Sequence, residues 1–368
     1  MERNFSIYLD LVRFTAACLV YIYHSNQRWL IKDVLPLSNY GHAAVIVFFV
    51  LSGYVISYIT STRENKWTVY AASRLARVFS VVVPTLLLCV VLDSIGRQIS
   101  MVGYGGYPFD RFVLRWLGSL LMLNEVWFIS ITSFSNVPYW SITFELWYYV
   151  LFGLLMFLPQ RLGMVVAAIL LLALGPKIAL LAPIWMAGVV LHRWQRLAHI
   201  SLASGWWLAV GTTALIAALF GMGVFDRIHH ASKAWMGAEF NEQLTFAKFF
   251  LGDYLLGALV LLQFAGVRRV APSLSAFFKV IERPVRWLAA YTFSLYLLHQ
   301  PLFLFWGTVL GGDPSTIRPW LMTTAGVAIT VVLVGYFTEN QRGRLKAWIQ
   351  HSLERGQPLV GRDGLEVR

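Results

Sequence analysis

Arg13 and His24 lie eleven residues apart inside an otherwise apolar stretch, LDLVRFTAACLVYIYH, at residues 9–24. At about 100° per residue, eleven steps return to within about 20° of three full turns, so on a helix both side chains share one face, roughly 16 Å apart along the axis. Asp10, one turn before Arg13, can meet it there as an ion pair. Histidine titrates nearest neutral pH, so an imidazole on such a face is a candidate base, and a guanidinium is a candidate anion ligand. Further along, the segment SRLARVF sets Arg74 and Arg77 one helical turn apart. Two guanidiniums on one face can hold a phosphate through bidentate hydrogen bonds. The plainer accounts are anchoring at the cytoplasmic surface for that pair and neutralisation of Asp10 for Arg13.

The elements that must position these residues are membrane helices. Of the 368 residues, 58% are hydrophobic and 13% charged, against about 25% charged in an ordinary soluble domain. A water-soluble globule is excluded. The 15 Trp and 16 Tyr suit rings placed at two membrane interfaces. A bilayer core about 30 Å thick takes about 20 apolar residues per helix. The expected fold is therefore all-α, a polytopic transmembrane helical bundle of about ten spans, at 5–26, 41–60, 78–96, 139–158, 162–175, 178–192, 205–224, 249–266, 285–310 and 318–338. The fifth and sixth are short and separated by GPK at 175–177, so two thin spans and one re-entrant hairpin both remain open. The first span contains Asp10 and Arg13 and lacks a small-residue cleavage site, which marks a retained helix and not a signal peptide.

Most of the 30 Lys and Arg fall in alternate connections, which places both termini in the cytoplasm. The net charge of +12 is then a topology signal and calls for no nucleic-acid partner. Residues 1–345 are expected to form one transmembrane domain and 346–368 a charged cytoplasmic tail. The long connection 97–138 carries FVLRWLGSLLML at 112–123 with helical spacing, as an amphipathic helix at the outer interface would.

Charges inside spans are costly and face cavities. Counting the rise from the start of each span puts His24, Glu145, His299, Asp93 and Asp253, from five different spans, in the outer leaflet. Their convergence predicts a polar chamber open to the outer side. Ser141 and Glu145, four residues apart in WSITFE, would line it from one face. Ser52 and Gly53 in LSGYV lack a nucleophile elbow and read as small-residue helix packing. Cys18 and Cys89 sit in apolar runs and define no disulfide framework. His229 and His230 have no ligand spacing around them, and no metal is expected.

The segments LDLVRFTAACLVYIYH at 9–24, FFVLSGYVIS at 48–57, RLAR at 74–77, YWSITFELWYY at 139–149, FSLYLLHQPL at 293–302 and YFTEN at 336–340 follow one another along the chain. In that order, from about residue 5 to 345, the chain resembles the acyltransferase-3 family of integral membrane acyltransferases, many of which O-acetylate bacterial surface polysaccharides. There are departures. Ala44 and Ile46 stand where the family usually has Gly-Val-Asp, and the proline that commonly follows the second arginine closely is found only at Pro84. The soluble esterase-like domain attached to some members is not expected.

The resemblance implies acyl-CoA, acetyl-CoA foremost, as the donor substrate. The acceptor would be a sugar hydroxyl of a cell-envelope or exported glycan, an exopolysaccharide or lipopolysaccharide O-antigen, free or lipid-linked. The setting would be the bacterial inner (plasma) membrane, with the lipid bilayer as the constant partner. It carries over Arg13 and His24 as catalytic, Arg74 and Arg77 as donor-binding, and Glu145 as a further residue of the catalytic group. A sugar hydroxyl is a poor nucleophile at neutral pH, and a positioned base is worth typically about 10² to 10⁴ in rate. His24 would take the hydroxyl proton directly or accept the acyl group and pass it on. Glu145 would orient His24 or bind sugar hydroxyls, and Arg13 would bind donor or support the channel. Asp10, Ser141, Tyr296 and His299 are expected to serve the substrate. The competing class, a secondary transporter or exporter of a lipid-linked or anionic sugar, calls for paired half-repeats with broken helices, and none are visible.

Overall fold

The computed structural model describes residues 2–355; the end of the predicted tail, 356–368, lies outside the described residues. Among them no strand forms, and the chain folds into α1 (Arg3–Ser25), α2 (Gly41–Thr62), α3 (Trp67–Ile99), α4 (Phe112–Leu120), α5 (Trp140–Phe157), α6 (Gln160–Leu174), α7 (Pro176–Arg193) and α8 (Leu202–Trp206). Then come α9 (Thr212–Gly221), α10 (Val224–Met236), α11 (Ala238–Gln243), α12 (Phe250–Val270), α13 (Ser275–Ala290), α14 (Thr292–Leu310), α15 (Arg318–Thr338) and α16 (Arg342–Arg355). Among the described residues, eight helical segments are long and apolar enough to cross a membrane. Large apolar side chains such as Leu172, Ile329 and Phe337 point outward, a surface suited to lipid and not to water. The all-α polytopic membrane bundle is the fold.

Close backbone approach fixes the centre. A Cβ on Gly53 of α2 would stand 1.9 Å from the carbonyl oxygen of Trp185 on α7, and one on Gly188 would stand 2.0 Å from that of Val50. Only glycine lets these two helices meet, which is the small-residue packing expected at Ser52 and Gly53. Gly266 of α12 plays the same part against the backbone of Ala209 and Gly205, where Trp207–Gly211 forms a π-turn between α8 and α9.

The short pair α6 and α7 reverses at Gly175, whose φ of +91° favours glycine. At about 1.5 Å per residue the 15 residues of α6 cover only about 22 Å. Beneath this turn the loop after α4 is drawn into the bundle. Lys177 of α7 is fully buried and binds the Glu125 carboxylate and the carbonyl of Ile129, while Ser130 donates to the other oxygen of Glu125 at 2.7 Å. A charge pair so deeply buried persists because each member satisfies the other. The amphipathic helix expected at 112–123 is α4, which ends at Leu120, with Val113 and Leu117 outward and Arg115 held by Asp110 at 2.7 Å and by the carbonyl of Thr132 at 2.9 Å.

Two spans differ from expectation. The third helix runs 33 residues from Trp67, so Pro84 lies inside it and does not mark its start; neighbouring helices let membrane helices tolerate proline. Arg74 and Arg77 therefore sit on a helix already under way. The ninth span, expected unbroken over 285–310, is interrupted at Tyr291. Glu339 accepts from the amide of Ser294 at 2.9 Å and from its hydroxyl at 2.6 Å. A carboxylate capping the free amides of a helix start stabilises that start, so α14 begins there and α13 turns away. Finally, α16 packs along α3.

Candidate active site

A cavity lies at each end of the Arg13–His24 face of α1. The inner one encloses about 290 Å³ and is lined by Arg13, by Ser52 of α2, by Arg74 and Arg77 of α3, by Ser141, Glu145 and Tyr149 of α5, and by Arg342 and Lys346 of α16. Its charges are unevenly paired. Arg13 meets Asp10 at 3.1 Å, and the second oxygen of Asp10 meets Arg286 at 2.9 Å. Arg74 binds both oxygens of Glu64 at 2.8 and 2.7 Å, and both side chains are buried. By contrast, Arg77, Arg342 and Lys346 make no ion pair among the described residues. The Arg77 guanidinium lies over the ring of Phe293 at 5.7 Å. Glu145 is spoken for: Ser52 donates to its Oε1 at 2.7 Å, and the Tyr149 hydroxyl donates to the same oxygen. Cations that are not already neutralised, arranged round a small cavity, suit a polyphosphate head group.

The outer cavity is larger, about 660 Å³, and its lining includes His24 of α1, His42 of α2, Trp140 of α5, Lys248, and Asp253 of α12. Its walls are aromatic: the rings of Trp140 and Phe246 stack at 4.6 Å and 2°. The His24 ring lies 5.2 Å from that of His299. His299 is wholly buried, and its Nδ1 stands 2.7 Å from the carbonyl oxygen of Tyr296. A carbonyl only accepts, so the proton is on Nδ1 and Nε2 carries the lone pair; that Nε2 has no protein partner. At the mouth, Glu242 accepts from Lys248 at 2.7 Å and from Lys233 at 2.9 Å, and these hydrogen bonds lower its pKa to about 2.

Val45 and Tyr296 line both cavities. The Tyr296 hydroxyl is tied to the Ser141 hydroxyl at 2.6 Å. One tyrosine and one valine thus stand where a cationic compartment and an imidazole compartment come together.

Of the residues singled out in the sequence, Arg13, Arg74, Arg77, Ser141, Glu145 and Tyr296 meet in the inner cavity, while His24 opens on the outer one with His299 behind it. Ser141 and Glu145 do share a lining face. Asp10 faces a side cavity of about 310 Å³ together with Arg13 and Arg77. The single chamber of five ionisable residues is corrected: His24 and Asp253 share the outer cavity, but Glu145 belongs to the inner one and does not touch His24. Asp93 is buried apart, accepting from the amide of Ser135 at 3.0 Å and its hydroxyl at 2.7 Å. A count along a helix does not say which way a side chain faces, and Glu145 faces Ser52 of α2 in the inner cavity.

The sequence reading passed over His42, Glu64, Arg342 and Lys346. For His42 the signal was present, an ionisable residue at the head of an apolar span. For Arg342 and Lys346 it was not, since tail basicity alone does not reveal that α16 folds back against α3. Among the described residues no group of three or more His, Cys, Asp or Glu could hold a metal ion.

A family model described as an acyltransferase domain matches residues 6–339. Acyltransferase MdmB of Streptomyces mycarofaciens is 27% identical over 152 residues, 39% of this chain. That match spans 37% of the relative's own length. No solved structure matches the chain significantly.

Proposed function

The chain belongs to the acyltransferase-3 family, and on that premise we propose that this membrane acyltransferase takes an acyl group, acetyl foremost, from acyl-CoA and passes it to a hydroxyl of a cell-envelope or exported glycan. The observation that carries this reading is the pair of cavities of opposite chemistry, both of which Tyr296 and Val45 line. Arg77, Arg342 and Lys346 would bind the nucleotide phosphates, with Arg74 held in place by Glu64. The thin pantetheine arm would pass Tyr296 and bring the thioester to His24. The cationic side would face the cytoplasm of a bacterial inner membrane, where acyl-CoA is made.

In the reaction an oxygen–carbon bond forms, the carbon–sulfur bond of the thioester breaks, and the hydroxyl proton ends on the CoA thiol. His24 either takes that proton first or accepts the acyl group on its ring nitrogen and hands it on. Arg13, some 16 Å down the same helix, serves the donor side. Glu145, held by Ser52 and Tyr149, sits along the path of the arm. The aromatic walls of the outer cavity, with polar groups of both signs at its rim, suit a sugar ring. Family membership favours this reading over a sugar exporter.

The test is mass spectrometry of surface glycans from cells with and without the protein. Base-labile acyl increments are expected only where the protein is present. Identical glycans in both would overturn the proposal.

A further inference from the structure

His42 and Asp253 form a pair that the reaction as described does not use. His42 stands at the outer end of α2 and Asp253 in the first turn of α12. The Nε2 of His42 lies 2.9 and 3.0 Å from the two carboxylate oxygens of Asp253. The Asp253 side chain is 5% exposed and that of His42 is 28% exposed, and both line the outer cavity alongside His24. With Asp253 accepting from Nε2–H, the lone pair is on Nδ1, and no protein group hydrogen-bonds that nitrogen among the described residues. The ring also lies nearly parallel to Trp140, 16° between planes at 6.5 Å, next to the aromatic wall where an acceptor would rest.

We infer that His42, backed by Asp253, is the group that takes the proton from the attacking hydroxyl in the outer cavity, with His24 holding or carrying the acyl group. A carboxylate behind an imidazole fixes its tautomer and stabilises the imidazolium that forms when the opposite nitrogen accepts a proton. Among the described residues His24 has no such partner; the rings of His299 and Tyr23 lie beside it. In the transfer step the acceptor O–H bond breaks as its proton moves to Nδ1 of His42. The oxygen bonds to the acyl carbon, whose bond to its carrier, CoA sulfur or a His24 nitrogen, breaks. The carrier recovers a proton from the His42 imidazolium through cavity water, leaving both histidines neutral. This inference rests on the acyltransferase reading above.

The experiment uses the full chain in permeabilised cells given radiolabelled acetyl-CoA, with base-labile label counted in the glycan fraction. Equilibrium binding of acetyl-CoA to the purified protein runs in parallel. His42→Gln keeps a donor towards Asp253 but cannot take up a proton, and Asp253→Asn keeps the shape of the pair. His42→Gln should lower transfer by about 10²-fold or more, the scale of a lost general base, with acetyl-CoA binding unchanged. Asp253→Asn should lower kcat with the acceptor KM little changed. Transfer by His42→Gln at the wild-type level would overturn the inference alone. So would a defect confined to the acceptor KM, or a loss of donor binding, which would mark the pair as a structural clip. A wild-type protein that binds acetyl-CoA but labels no glycan would overturn the acyltransferase reading and the inference together.

Discussion

The inner and outer cavities share α1, α2, α5 and α14 yet differ in almost every physical respect. The inner one is small and crowded with guanidiniums, of which two, Arg13 and Arg74, are paired with carboxylates and two, Arg77 and Arg342, make no ion pair among the described residues. The outer one is more than twice the volume, walled by stacked rings, and its central polar groups are imidazoles. A site of unpaired cations discriminates by charge, and a site of rings and imidazoles discriminates by shape and can move protons. The contrast teaches how the proposed reaction would be divided along α1, with donor binding at the Arg13 end of one face and chemistry at the His24 end.

The strongest way to break that division is to collapse both cavities at once. Gly53→Ala places a Cβ 1.9 Å from the Trp185 carbonyl on a helix that lines both compartments, so it should cost at least about 3 kcal/mol, the upper range for overpacking. Thermal unfolding in detergent should show it, with donor binding and transfer lost together. Next in size, His24→Ala should lower glycan acylation by about 10² to 10⁴ while acyl-CoA still binds to the purified protein. Arg77→Ala should do the reverse. One lost charge-assisted hydrogen bond, about 1.5 to 3 kcal/mol, weakens acyl-CoA binding by about 10- to 100-fold, and saturating donor should restore the turnover rate.

The smallest effect belongs to the outer rim. The carboxylate of Glu242, lowered to about 2 by Lys248 and Lys233, titrates below its ordinary range. Its contribution to holding α10 and α11 over the cavity is fully present above the unfolded value of about 4.3 and fades as pH falls towards 2. Hydrogen exchange of residues 224–248 should stay slow at pH 5 and rise only in stronger acid. In Glu242→Gln protein, exchange should be faster at neutral pH.

Much of this architecture was legible in the chain. Apolar runs of bilayer length marked the helices, and the 3.6-residue period put Asp10 beside Arg13 and Ser141 beside Glu145, because those relations are local to one helix. Relations between helices were not legible. Nothing in the spacing of Arg74 reveals that Glu64, across the turn between α2 and α3, takes it. The break at Tyr291 depends on Glu339, which approaches from α15 about 45 residues later in the chain. Nor does a count along each span reveal that Ser52 takes Glu145 and Ser135 takes Asp93, both away from His24.

The most direct test of the divided site is a density map of the protein with a non-hydrolysable acyl-CoA analogue. The account predicts nucleotide phosphates against Arg77, Arg342 and Lys346, the pantetheine arm passing Tyr296, and the acyl carbonyl at the His24 ring. Phosphates seated in the outer cavity, or an acyl group that stays below Tyr296 out of reach of His24, would contradict it.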